Sequence, residues 1–330
     1  MSLLGMRYFL VAAEEMNFTS AAKRLYVTQQ TLSSHIQRLE QEYNVTLFNR
    51  RPHLSLTPEG ELMVKYATRI IRLERVMSAE FADLDKSARG VLSLGISRMR
   101  AKHFFHEIWN RYRSQFPNME IYLNEGFSVT LERLVSTHKV DMCIGIELES
   151  PSLSKIPLCQ ENIYLVIPRA MFRAYYGEQT EKCVRKFSHG LLFRELPELP
   201  LLLLSSVNRI RQLIDQQFDR VDRIAHPVFE SNDQELLASM CKDGVGMTFL
   251  PATTLFYAKD TVISEELYCF PLSELRIETV LGYPSDKLPH YAKAFISCCM
   301  DVFSDADKRI RDRSEIYLNE LRGELSKQED

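Results

Sequence analysis

Between Thr28 and Arg38 the chain concentrates side chains that make directed hydrogen bonds: Thr28, Gln29, Gln30, Thr31, Ser33, Ser34, Gln37 and Arg38. Glutamine can bond an adenine edge through two atoms, arginine a guanine or a phosphate, and serine or threonine either. Interleaved with them, Leu32, Ile36, Leu39 and Tyr43 fall at spacings of four, three and four, one stripe of a helix. The stripe faces a core, so the polar set faces outward. Such a set near a helix N-terminus is what reading base edges in a major groove requires. An ordinary solvated helix face has the same composition, and on these residues alone both readings stand.

The neighbouring residues supply the frame that would position this helix. Thr19 and Thr28 each precede a helical run as caps, with Ala21, Ala22 and Leu25 as the apolar positions between them, giving two short helices and a glycine-free turn. A first helix is expected over Leu3–Glu15, and Phe18 plugs the turn into the second. Asn44 tolerates the left-handed conformation that stops the third helix. Two short extended pieces, Val45 to Phe48 and Leu54 to Leu56, flank Asn49-Arg50-Arg51-Pro52-His53. This is a winged helix-turn-helix layout, and Arg50 and Arg51 at the wing tip are placed for phosphates or the minor groove.

Thr57-Pro58-Glu59-Gly60-Glu61 starts a long helix: a capping hydroxyl, a proline suited to the first position, and acids at the positive end of the dipole. Along it Leu62, Tyr66, Ile70, Leu73, Met77, Phe81 and Leu84 form a heptad-like seam. The seam is expected to be buried against a copy of itself, making a dimer. Packing onto the chain's own body is the alternative.

At 330 residues the chain is long enough for more than one domain, and its net charge of −3 gives no global attraction to nucleic acid. Any such binding must come from a local face. Residues 1–89 carry 12 Lys plus Arg against 10 Asp plus Glu, the remainder 29 against 34, an asymmetry of the right sign and small size. The seven cysteines are odd in number, scattered and without C-x-x-C spacing, as expected of core thiols in a reduced cytoplasmic protein. Neither a secretory leader nor an apolar run long enough to span a membrane is read from the sequence, and nothing in it calls for a metal or cofactor.

Residues 6–60 resemble the DNA-binding head of LysR-type transcriptional regulators. Phe9, Ala12, Phe18, Thr19, Ala21, Ala22, Leu25, Thr28, Gln29, Ser33, Ile36, Leu39, Glu40, Leu47, Phe48, Arg50, Leu56, Thr57 and Gly60 match that pattern in order and spacing. Glu42-Tyr43-Asn44 stands where the family usually has Glu-Leu-Gly, and Ser34 where a basic residue is frequent. The remainder, through about residue 304, has the family's shape. From Val91 strands and helices alternate in two α/β units, and the resemblance implies a two-lobed, periplasmic-binding-protein-like effector domain. Two crossings join the units, Ile163 to Ile167 and Leu267 to Pro271. The expected division is a winged helix-turn-helix head at 1–58, a dimerisation helix at 59–89, an effector-binding domain at 90–305 and a charged extension at 306–330. Within the effector domain, lobe I covers about 90–163 and 268–305, lobe II about 164–267. Residues 169–200 are longer and more basic than the family outline, with Arg169-Ala170 in place of a His-Pro. The extension, with Ile310, Tyr317, Leu321 and Leu325 at near-helical spacing, reads as a frayed, solvated helix rather than an assembly contact.

Ligands of open α/β units sit beyond the carboxyl ends of the strands. The pocket candidates are therefore Ser97, Arg98, Met99 and Arg100; Phe127, Ser128, Val129 and Thr130; Ser205 and Ser206; and Met247 with Thr248. Arg98 and Arg100 favour an anionic or polar effector. The hydroxyls serve equally as helix caps. The expected partners are double-stranded DNA, a small effector and further copies of the chain, as a homodimer or, by the resemblance, a homotetramer. The alternatives are an enzyme or a solute-binding protein on the same α/β body. The sequence lacks G-x-S-x-G, P-loop, H-E-x-x-H and G-x-G-x-x-G motifs, and Gly244-Val245-Gly246 follows a helix rather than a strand.

Overall fold

A computed structural model describes residues 2–50, 53–84, 90–257, 263–285 and 288–326. The head opens with α1 (Leu3–Glu15), α2 (Phe18–Arg24) and α3 (Gln29–Tyr43). Asn17, not the expected Thr19, caps α2: its Oδ1 accepts from the amides of Thr19 and Ser20 at 2.9 and 3.0 Å, and Thr19 already lies in the first turn. Thr28 caps α3, its Oγ1 accepting from Thr31 N at 3.1 Å, and Asn44 ends it at φ 54°. Leu32, Ile36 and Leu39 are buried in a core with Met6, Phe9 and Phe48, each large side chain contributing about 1.5–3 kcal/mol. Tyr43, expected on the same stripe, is exposed. The wing strands β1 (Phe48–Asn49) and β2 (Ser55–Leu56) pair antiparallel and are shorter than the extended pieces expected there.

The linker helix α4 (Pro58–Leu84) starts against the wing. Thr57 Oγ1 accepts from Gly60 N at 2.9 Å and donates to Thr46 O at 2.6 Å. A Cβ at Gly60 would lie 2.2 Å from Leu47 O, so this close approach of helix and wing requires glycine.

The body follows as β3 (Gly90–Ile96), α5 (Arg98–Arg100), a π turn at Ala101–Phe105, α6 (His106–Gln115), β4 (Met119–Glu125), α7 (Ser128–Ser136), β5 (Met142–Ile146) and β6 (Leu153–Pro168). It continues through α8 (Arg169–Tyr176), α9 (Thr180–Phe187), β7 (Leu201–Leu203), α10 (Arg209–Arg220), β8 (Pro227–Glu230), α11 (Gln234–Lys242), β9 (Met247–Pro251), α12 (Ala252–Phe256), β10 (Leu267–Pro284) and α13 (His290–Ser326). One sheet of order β4-β3-β5-β10-β6-β9-β7-β8 runs through both lobes. The crossings expected at 163–167 and 267–271 are parts of two long antiparallel strands, β6 and β10, whose register breaks between Pro271 and Arg276. Their other ends belong to the first lobe, where β10 also pairs β5.

Phe104, Ile108, Tyr112, Phe295 and Phe303 centre the first lobe's core, and Phe172, Phe193, Phe218, Leu250 and Phe270 that of the second. The unusual 169–200 stretch supplies α8 and α9, which set Phe172 and Phe187 against Phe270 at ring separations of 5.3 and 5.7 Å. The extension departs from expectation. It continues α13 without a break to Ser326, and Ile310 and Leu321 are buried in the second lobe's core. Apolar residues on one helical face found a lobe to cover, so the frayed form is not adopted. The side chain of Leu325 lies outside the described residues.

Candidate nucleic-acid interface and inter-lobe cleft

The turn before α3 places Tyr26 at φ 55° and is held by Tyr26 N donating to Lys23 O and Val27 N to Ala22 O. It presents Thr28, Gln29, Gln30, Thr31, Ser34, Gln37 and Arg38 exposed on one side of the head, with Ser33 half-buried. Thr19 Oγ1 donates to Gln29 Oε1 at 3.3 Å, which orients that amide. Thr28 Oγ1 is shared with the hydroxyl of Thr31 at 2.8 Å as well as with the α3 backbone. Both threonines therefore spend their oxygens on the cap. Arg50 is drawn back onto the head, 3.5 Å from Glu40 and with its guanidinium 5.8 Å from the Phe18 ring centroid. Arg51 lies outside the described residues. Asn17, His53 and Leu54 join Gln29, Ser33 and Arg50 around a shallow groove between α3 and the wing. The sequence marks His53 only as part of the wing tip.

On α4, Leu62, Tyr66, Leu73, Met77 and Phe81 are exposed and Ile70 is half-buried, while Ala67 and Ile71 on the opposite face are buried in the head core. One face of this helix is thus covered by the head, and the other is exposed. The side chain of Leu84 lies outside the described residues.

Between the lobes lies a cleft of about 600 Å³. Of the expected residues, Ser97, Arg98, Met99, Arg100, Phe127 and Ser128 line it; Val129, Thr130, Ser205, Ser206, Met247 and Thr248 do not. The reasons are geometric. Ser128 begins α7, and the 100° advance per residue carries Val129 and Thr130 out to solvent. Met247 and Thr248 are buried in β9 between β6 and β7. Ser205 acts one step removed, donating to Asn232 Oδ1 at 2.6 Å. The second lobe contributes Asn208, Arg209 and the run Ser231 to Glu235 instead. That run follows a strand and opens α11 with Asp233 as cap, so the rule that selected the other loops reaches it too.

Arg100, expected to offer charge to a ligand, is buried. Its Nε and Nη2 donate to Thr279 Oγ1 at 3.0 and 2.6 Å, and Nη2 to Glu161 Oε1 at 3.2 Å. Ser128 Oγ accepts from Ile146 N at 2.9 Å, tying α7 to β5. Exposed Arg98 remains at the rim. Three ion pairs reach across the cleft: Lys102 with Glu235, and Arg209 with both Glu149 at 3.0 Å and Glu132 at 3.8 Å. Burial, reinforced by Lys102 and Arg100, pushes the His103 imidazole below its usual range. Burial also pushes the thiols of Cys143, Cys159 and Cys269 up to about 12, so these three are unreactive core groups. Among the described residues no helix is long and apolar enough to cross a membrane.

Residues 3–61 match the family model described as bacterial regulatory helix-turn-helix protein, lysR family, and residues 85–304 that of the LysR substrate binding domain. The uncharacterized HTH-type transcriptional regulator YcgK of Bacillus subtilis is 30% identical over 259 residues, 76% of this chain and 80% of that protein. BsdA, an HTH-type transcriptional regulator of the same organism, is 26% identical, over 77% of this chain and 85% of its own. Among solved structures, a full-length, singly substituted OxyR from Pseudomonas aeruginosa superposes with a TM-score of 0.66 at 22% identity, covering 92% of this chain and 94% of that one. Full-length CbnR, solved with its target DNA, gives 0.58 at 16% identity, covering 92% and 100%. At these identities the two structures speak for the fold.

Proposed function

The chain belongs to the LysR family of DNA-binding transcription regulators with an effector-binding α/β domain, and on that premise we propose which of its residues carry each role. The enzyme and solute-binding alternatives fall with this membership. Gln29, Gln30, Ser33, Ser34, Gln37 and Arg38 read one half-site in the major groove, with Arg50 and Arg51 steadying the wing on the backbone. The exposed row Leu62, Tyr66, Leu73, Met77 and Phe81 pairs α4 with that of a second copy, so that two heads meet a pseudo-palindrome; dimers associate further into a tetramer. The chain works in the cytoplasm, where its DNA is.

The effector is small and carries an anionic group. Arg98 at the rim supplies the cationic partner, and Ser97, Asn208 and Asn232 supply neutral hydrogen bonds. Arg100 holds the floor rather than the ligand, because Glu161 neutralises it.

The observation that carries the DNA reading is the polar, exposed first turns of α3 standing directly after a capped turn. Fluorescence anisotropy with the promoter DNA of the chain's own gene tests it. Tight binding that Gln30→Ala and Arg38→Ala both weaken is expected; unchanged binding in both would refute the assignment. For the cleft, a thermal-shift screen of small carboxylates is expected to give a stabilising ligand whose effect Arg98→Ala removes.

A further inference from the structure

The family model ends at residue 304, yet α13 runs on to Ser326. At 37 residues this helix is about 55 Å long, enough to span both lobes. Its first part is built into the first lobe: Phe295, Cys299, Val302 and Phe303 are buried in that core. Ala306 still belongs to that core and Arg309 pairs with Glu107 on α6; beyond Arg309 the helix changes partner. Ile310 and Leu321, 7% and 2% exposed, enter the second lobe's core.

The polar contacts of this second part fall on four separate elements of the second lobe. Arg313 Nη1 donates to Phe256 O on α12 at 2.8 Å. Cys269 N on β10 donates to Tyr317 Oη at 2.9 Å. Tyr164 on β6 shares a hydrogen bond of 2.5 Å with Ser314. Arg322 Nη2 donates to Ser188 O, just past α9, at 2.8 Å. Tyr164 and Cys269 lie on the two strands that pass from lobe to lobe, paired with Pro271 and Val166 respectively. A rotation of the lobes must bend those strands, and the helix is bonded to both on the second-lobe side of the register break between Pro271 and Arg276.

We propose that residues 310–326 are an intramolecular strap that fixes the angle between the lobes, and that rotation of the lobes requires this part of α13 to lift from the second lobe. A rigid helix rooted in one body and docked on another cannot follow a rotation without bending or releasing its dock. Besides the two strands, the ion pairs of Lys102 and Arg209 across the cleft and the Thr253–Glu161 bond also link the lobes, and the docked helix adds a continuous rigid element to them. The strap thus makes the resting angle the default, which an effector must overcome. Only this regulatory consequence rests on the effector reading; the restraint itself is tested without a ligand.

The test uses full-length protein carrying a dye pair through non-canonical amino acids at exposed Arg113 on α6 and Arg220 on α10, with single-molecule energy transfer reporting the inter-lobe distance. Ile310→Asp with Leu321→Asp is expected to speed amide exchange across 310–323 by about tenfold or more and to broaden the distance distribution about twofold. A released strap with an unchanged distribution would overturn the proposal. Should that double variant fail to fold, Tyr317→Phe with Arg322→Ala removes three docking bonds and no lobe residue. Broadening is again expected, and faster exchange without broadening again overturns it.

Discussion

Arg100 and Glu161, 61 residues apart, meet at 3.2 Å beneath the cleft, with side chains only 5% and 4% exposed. The pair is shared by both lobes. Arg100 ends α5 in lobe I and also bonds Thr279 on β10, while the second carboxylate oxygen of Glu161 accepts from Thr253 N in α12 at 2.7 Å. A charge with this many partners is part of the floor.

Replacing one member leaves the other buried and uncompensated. Arg100→Ala is expected to cost about 3–5 kcal/mol of stability. Denaturant unfolding of the full chain measures it. A loss below about 1 kcal/mol, the range of a surface pair, would show that Arg100 is not buried as described.

For the head, Gln30→Ala and Arg38→Ala are each expected to cost about 1–3 kcal/mol in DNA affinity where they read a base. Arg50→Ala differs in kind: it weakens binding similarly on any sequence and lowers the slope of log affinity against log salt by about 1. Anisotropy titrations on specific and scrambled DNA at several salt concentrations separate the two. If Arg50→Ala left both affinity and slope unchanged, its Glu40 and Phe18 contacts would be its whole role.

Leu73, 69% exposed, and Met77, 48% exposed, are the seam positions that Asp can occupy with least damage to the head. Leu73→Asp with Met77→Asp is expected to yield a folded monomer by light scattering. Ile70, half-buried beside the head core, is a poorer probe, because its substitution would also disturb packing. An oligomer persisting in the double variant would place the interface elsewhere.

His103 gives a pH dependence. Folding lowers its affinity for protons, so as pH falls below about 6.5 the unfolded chain takes up the proton first and stability drops. The contribution is fully present above that value and is lost progressively down to the lowered folded pKa. His103→Gln should flatten this part of a melting-temperature profile between about pH 7.5 and 5.5. An unaltered profile would assign the dependence to other groups.

Much of this architecture could be read locally. Helix periods, the Thr28 cap, the Asn44 stop, the Thr57-Pro58 start and the apolar row of α4 are set by residues a few positions apart, so a short window of sequence contains both partners of each interaction. The cap of α2 is ambiguous within such a window and falls to Asn17 rather than the expected Thr19, because both have capping oxygens and only the backbone conformation separates them. What the windows could not contain was decided by the tertiary structure. Arg100 has the composition of a ligand-binding loop residue, and only Thr279, 179 positions away, together with Glu161 makes it a buried strut. Met247 and Thr248 follow a glycine turn as pocket residues do, and only their place between β6 and β7 buries them. The charged tail carries an apolar face too sparse to order a helix alone, and the second lobe supplies the surface that orders it through partners 48 to 150 positions earlier. Local interactions determine which elements form; the solvation of a charge and the covering of an apolar face depend on atoms that only the folded chain brings together.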